Sequence, residues 1–328
     1  MLKLFERNTV IQAILILMVT GLLWAKAFAH PLPMVATGHY SPLYDLLCQL
    51  SLSPFLSTLL ALMLVVGGGV CLNLTLANAN LVSQNSLLPT LLFIVAMSAN
   101  DPSLSPSLLA VLIGIVIVGR LMLHGTLLTV SANKIFATAA LIGIASMLYL
   151  PSLMLIIAYL LIAINYRLYG WRDWMMLFLG LLAPYLLLWS IQLFTGNLLD
   201  SFALMGDNLV HVNPTVGNFS TLQAIADIFL LTAFVVSLFV VWSRMGEKTV
   251  VWKKNATTVM LLTVAAVAML PFSQLFPIDL KFFAIPFTFC LSHRLTLPRK
   301  RSRGRKKSWR SHLFDLLFIL IIISAILC

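Results

Sequence analysis

Charge is what this chain has least of. Charged residues fill 9% of its 328 positions, against about 25% in an ordinary soluble domain. Hydrophobic residues fill 61%, and the mean hydropathy is +1.02. A water-soluble globular fold is thereby excluded. Cysteine is sparse as well. Cys48, Cys71, Cys290 and Cys328 are scattered without a CxxC spacing, so neither a disulfide framework nor a zinc site is expected. The short catalytic and nucleotide-binding signatures are also missing: there is no HExxH, P-loop, GxSxG, or GxGxxG opening a helix. No cofactor and no metal is expected. No internal repeat stands out, which weakens an inverted-repeat transporter, and no span carries the several charges that ion coupling needs.

What is present is a succession of apolar runs of about 20 residues, the length that crosses a hydrocarbon core as a helix. The alternating ten-residue segments of a membrane barrel do not occur. The expected fold is an all-α, polytopic transmembrane bundle, with residues 1–328 as one integral membrane domain. Eleven spans are read, near 9–29, 52–76, 87–100, 104–123, 134–150, 152–166, 174–195, 222–243, 256–275, 280–293 and 312–328. The stretch from Lys134 to Arg167 would be about 50 Å long as one helix, too long for a single crossing. The Pro151-Ser152 pair breaks it into a hairpin.

Lysine and arginine set the orientation. With the N-terminus inside, all but Lys26 and Lys281 of the 21 positive residues fall on the inner face. Changing the parity of spans anywhere destroys that agreement, so the C-terminus is expected outside, in a bacterial inner membrane. The first segment also has the form of a signal peptide, with Lys3 and Arg7 before an apolar run and Ala27-Phe28-Ala29 after it. Its length favours a retained span.

The inner loop 294–311 is strongly basic, with Arg299, Lys300, Arg301, Arg303, Arg305, Lys306 and Lys307. Each such residue near an anionic leaflet contributes about 1 kcal/mol, so anionic lipid headgroups explain the run. It is short, has one aromatic (Trp309) and lies between two spans, so nucleic acid is not expected as a partner. The outer loops 30–51 and 196–221 are different. The second has no lysine or arginine and holds Asp200, Asp207 and His211. The first holds His39 and Asp45. Leu43, Leu46, Leu47 and Leu50 recur at helical spacing there, which predicts an amphipathic helix on the outer leaflet with Asp45 at headgroup level.

Asp227 lies about one turn inside the eighth span, with Gln223 four residues earlier on the same face. An ionisable group at that depth marks either a cavity or a water-satisfied interfacial site. Lys26 and Lys281 are either neutralisers of an anionic phosphate or chains reaching out to the interface. Ala139 and Gly143 are spaced for close helix contact. The Gly67-Gly68-Gly69 run either loosens the second span or admits a neighbour.

Ser86-Leu87-Leu88-Pro89, the run LIGIASMLYLPSLMLIIAYLLIAI, Trp171-Arg172 and Gly180-Leu-Leu-Ala-Pro184-Tyr185 together resemble an uncharacterised polytopic inner-membrane family of Bacteroidota. The Ile285-Pro286 segment, the basic loop and the last apolar run fit the same pattern. That resemblance implies a fold and no activity. The stretch GIASMLYLPSLMLI is similar, more loosely, to a hairpin of GT-C glycosyltransferases, which use polyprenyl-linked sugars. In that class an outer loop after the first span carries a catalytic acid, and Asp45 occupies the matching place.

Three readings stand at this point. The first is a glycosyl transfer on a polyprenyl-phosphate substrate, with Asp45 as base and Lys26, His39, Asp207, His211, Asp227 and Lys281 as substrate contacts. The second is a transporter or flippase using Asp227 and Gln223. The third is a non-catalytic subunit of an envelope assembly or export complex. Lipid bilayer, a lipid-linked sugar and envelope proteins are the partners they imply.

Overall fold

The structure is a computed structural model. It describes residues 9–31, 33–34, 40–83, 85–98, 103–124, 132–165, 170–196, 198–210, 215–216, 221–270, 275–276 and 278–296. For residues 9, 123–124, 208–210, 215–216, 221–230, 275–276, 278–280 and 296 the description covers the backbone alone.

Among the described residues the fold is all-α, with twelve α-helices. They are α1 (Thr9–Ala29), α2 (Pro42–Gln49), α3 (Pro54–Asn78), α4 (Leu88–Ser98), α5 (Pro106–His124) and α6 (Ala132–Leu148). Then follow α7 (Leu155–Asn165), α8 (Trp171–Thr195), α9 (Leu198–Val210), α10 (Thr221–Arg244), α11 (Val250–Met269) and α12 (Ala284–Thr296). Two two-residue strands, β1 (Thr215–Val216) and β2 (Leu275–Phe276), pair in parallel. Ten of the helices fall on the first ten expected spans, and the eleventh expected span lies outside the described residues. The helices spanning Val10–Ala29, Pro54–Asn78, Trp171–Thr195 and Val250–Met269 are long and apolar enough to cross a membrane. The chain is a multi-pass helical membrane protein by composition.

Local chemistry sets the helix ends. Pro54 opens α3, and Ser53 before it accepts from the Leu56 N–H at 3.4 Å. Thr249 does the same for α11 through the Trp252 N–H. Gly196 closes α8 in the left-handed region, φ 78°, which costs glycine little. Between α6 and α7 a 3-10 turn, Leu150–Met154, carries Pro151 and breaks the long apolar stretch as expected, but the two halves do not pair as a tight hairpin: α6 packs mainly on α8, and α7 on α11.

The core sits around α4, which packs against α3, α12 and α1. The glycine run admits a neighbour. A Cβ on Gly69 would lie 3.2 Å from the Thr90 carbonyl oxygen of α4, and Thr90 Oγ1 donates to the Gly69 carbonyl at 3.3 Å. A second close seam joins α6 to α8. A Cβ on Gly143 would lie 2.8 Å from the Leu181 carbonyl oxygen, and one on Gly180 would meet the Phe136 carbonyl oxygen and the Ala139 methyl. Without a hydrophobic force between helices in lipid, such backbone approach is what holds them together.

At about 16 Å, α4 is half a hydrocarbon thickness long. The non-helical stretch before it is partly enclosed, with Leu81, Val82 and Ser86 buried and Asn80, Ser83 and Asn85 exposed. Enclosed backbone of that kind needs hydrogen-bond partners. Gln12 of α1 supplies two. Its side-chain oxygen accepts from the Leu87 N–H at 2.7 Å, and its amide nitrogen donates to the Asn85 carbonyl at 3.3 Å. At the other end of α1, the buried Trp24 indole donates to Ser98 Oγ at 2.9 Å, at the end of α4. The first helix is therefore pinned to the core at both ends, while Val10, Ile14, Leu17 and Met18 on its other flank stay exposed.

Candidate functional site

The end of the bundle that carries Trp24 and Ser98 also carries α2. The α2 helix starts at Pro42, and its buried Tyr44 anchors it by donating its hydroxyl to the Leu104 carbonyl at 3.0 Å. Burial pushes the Tyr44 phenol up from its ordinary value. Asp45, the next residue, is half-buried. It accepts from Ser41 Oγ at 3.3 Å. Burial raises its carboxyl above the usual carboxylate range, and the Ser41 bond partly opposes that rise. A carboxylate so placed is a stronger base than a free one.

Leu104 leads directly into the start of α5. Ser105 Oγ accepts from the Leu108 N–H at 3.4 Å, sits 3.2 Å from Ser107 Oγ, and accepts from Lys281 Nζ at 2.8 Å. A cation there opposes the positive end of the α5 dipole, and the Ser105 hydroxyl oxygen is one acceptor that offsets this. Lys281 is 1% exposed. Phe282 beside it stacks on Tyr149 at 6.0 Å between ring centroids, so the 3-10 turn Ile278–Phe283 is packed on the end of α6. The two lysines that the charge count puts outside are thus unlike. Lys281 is enclosed in the bundle, whereas Lys26, in the last turn of α1, is exposed.

A second cluster adjoins this end. Tyr40, Met147, Leu150 and Tyr185 pack together, flanked by Leu43, Leu188, Trp189 and Met205. The Tyr185 hydroxyl and Ser146 Oγ lie 2.6 Å apart. Trp189 contacts Tyr185 and, at 4.8 Å between ring centroids, Phe202 of α9. Ser152 Oγ and Gln192 Oε1 are buried and have no hydrogen-bond partner among the described residues, a condition that a polar ligand or water would relieve.

The other expected site residues are placed as follows. Asp207 is exposed on α9. Asp227 and Gln223 both lie in α10, with only their backbone described. His39, His211 and the basic residues Arg299, Lys300, Arg301, Arg303, Arg305, Lys306 and Lys307 lie outside the described residues. The structure links Asp45 and Lys281 through Tyr44, Leu104 and Ser105. Sequence reasoning missed Ser105 and the helix α9. The Ser-Pro step at 105–106 was the available signal for a helix cap beside the lysine. Among the described residues no three His, Cys, Asp or Glu side chains gather to hold a metal. No protein-family model matches the chain, and neither does any curated protein or solved structure.

Proposed function

We propose that the chain is an eleven-span inner-membrane protein of envelope biogenesis, N-terminus inside and C-terminus outside. In this reading it is a GT-C-like glycosyltransferase acting on a polyprenyl-phosphate-linked substrate at the outer face. The topology draws support from the pairs of contacts. Tyr44 with Leu104, Lys281 with Ser105, and Trp24 with Ser98 all join segments that the charge count puts outside. Asn255 with Ala79 and Gln12 with Asn85 join segments that it puts inside.

The observation that carries the catalytic reading is Asp45. It is a half-buried carboxyl held above its usual range on a helix pinned to the segment that meets Lys281. In the proposed step the Asp45 carboxylate takes the proton of an acceptor hydroxyl. That oxygen bonds to the anomeric carbon, and the lipid phosphate leaves with the electrons of the broken bond. General-base action of this kind is worth about 10²–10⁴ in rate. Lys26, exposed in the last turn of α1, is the cation this reading assigns to the leaving phosphate.

The enclosure of Lys281 favours a second reading, a non-catalytic subunit of an envelope assembly, in which this lysine only ties the 3-10 turn to α5. The two separate in one experiment. Asp45→Asn keeps the shape and removes the base, so the protein should insert at normal level while the envelope-glycan profile loses its product. A normal profile at equal protein level eliminates the enzyme and leaves the subunit.

A further inference from the structure

The helix α9 (Leu198–Val210) follows the left-handed turn at Gly196 and offers three faces to three environments. Leu198, Ser201 and Met205, spaced three and four apart, form the partly buried face, and Met205 packs against the Tyr40–Tyr185 cluster. Leu199, Phe202, Ala203 and Gly206 form the next face. Leu199 is 80% exposed and Phe202 43%. Asp200 and Asp207 share the third face with Leu204, and all three are exposed. The apolar exposed face does not stop at α9. It continues into the outer flank of α8, where Leu187 is 68% and Phe194 90% exposed. Trp189 joins the two helices through its contact with Phe202, at the position where an indole marks a membrane–water boundary.

We propose that α9 lies in the plane of the bilayer interface, with Leu199, Phe202 and Ala203 seated in the acyl region of the leaflet that borders the α2 end of the bundle. Asp200 and Asp207 face water, and Met205 keeps the helix on the protein. The occupant of the exposed face is lipid because the face is continuous with that of α8, a helix long and apolar enough to cross. The described part of α9 has two aspartates and no lysine or arginine, so apolar area holds it to the membrane and headgroup charge does not. With α2 on the other flank of the Tyr40–Tyr185 cluster, the bundle end carries two interfacial helices. The inference rests on the membrane reading of α8 and is independent of the glycosyltransferase reading.

The test places a photoreactive benzoylphenylalanine singly at Leu187, Leu199, Phe202 or Asp207 of the otherwise unaltered chain, reconstituted in phosphatidylcholine vesicles. Adducts are identified by mass spectrometry. Lipid adducts at 199 and 202 are expected at yields comparable to those at 187 and several-fold above those at 207. Lipid adducts at 187 with none at 199 and 202 would overturn the interfacial placement. So would peptide adducts at 199 and 202, which would mean a second copy or a protein partner on this face. Equal lipid yields at 199 and 207 would mean a submerged helix and overturn it too. An absence of lipid at 187 would instead remove the membrane reading of α8, and the inference with it.

Discussion

The helices α4 and α8 are equally plain stretches of apolar sequence, and they occupy opposite situations. In α4 ten of the eleven residues are buried. In α8 three of 25 are buried, namely Leu177, Gly180 and Tyr185. Hydropathy does not separate them, because lipid and protein interior are equally apolar solvents for a leucine. What separates them is where small residues lie and where backbone needs help. Gly68 and Gly69 of α3 bring a whole neighbour against α4, and Gln12 supplies hydrogen bonds to the segment before it. The α8 helix has one tight seam, at Gly180 and Pro184, and otherwise meets whatever surrounds the bundle.

The largest test of this contrast pairs two truncations. Phe93→Ala in α4 should cost about 3–5 kcal/mol, since a dense interior cannot refill the space. Leu187→Ala on the outer flank of α8 should cost less than about 0.5 kcal/mol. Unfolding in detergent micelles by mixed sodium dodecyl sulfate would measure both, and equal losses would break the distinction. Next in size is Gly180→Leu. Its side chain must displace the Phe136 carbonyl and Ala139 of α6, so about 1–3 kcal/mol should be lost. Cross-linking between α6 and α8 should fall with it, while the α3–α4 seam stays intact.

Gln12→Leu sharpens the comparison from the α4 side. It leaves the Leu87 N–H and the Asn85 carbonyl without this side chain, at a cost of about 1–3 kcal/mol. Hydrogen exchange should rise locally before α4. The smallest effect concerns Asp45. Its folded carboxyl is raised above the ordinary value, so the folded state holds that proton more tightly than the unfolded state does. The resulting stability is full below the ordinary pKa of about 4 and is lost as pH rises through the folded value. Melting temperatures across the acid range should show wild type losing ground to Asp45→Asn as pH increases. A parallel pair of curves would mean that burial does not act on this group.

Ten apolar runs were legible as helices because each is apolar over three turns or more, even where, as in α4 and α7, the helix is only 11 residues long. The Pro151-Ser152 break, the amphipathic α2 and the Ala139–Gly143 contact were legible for the same kind of reason: local spacing carries them. The helix α9 was not, and its residues read as part of an outer loop. Its Asp200, Gly206 and Asp207 interrupt the apolar run, and a three-faced helix has no single clean stripe. Long-range facts were illegible as well. Nothing local to Lys281 tells that Ser105, 176 residues away, encloses it. Gln12 looks like an isolated polar residue in a span until its partners 73 and 75 residues later are known.

That separation has a consequence for how the protein is made. Gln12 is synthesised 73 residues before Asn85, and a ribosome adding about 5–20 residues per second needs roughly 4–15 s to cover that distance. For those seconds α1 has left the ribosome with a carboxamide in its opening turn that its own helix or interfacial water must satisfy. The segment before α4 thus gains its Gln12 partner from a helix that was made first and stays beside it through the synthesis of α3.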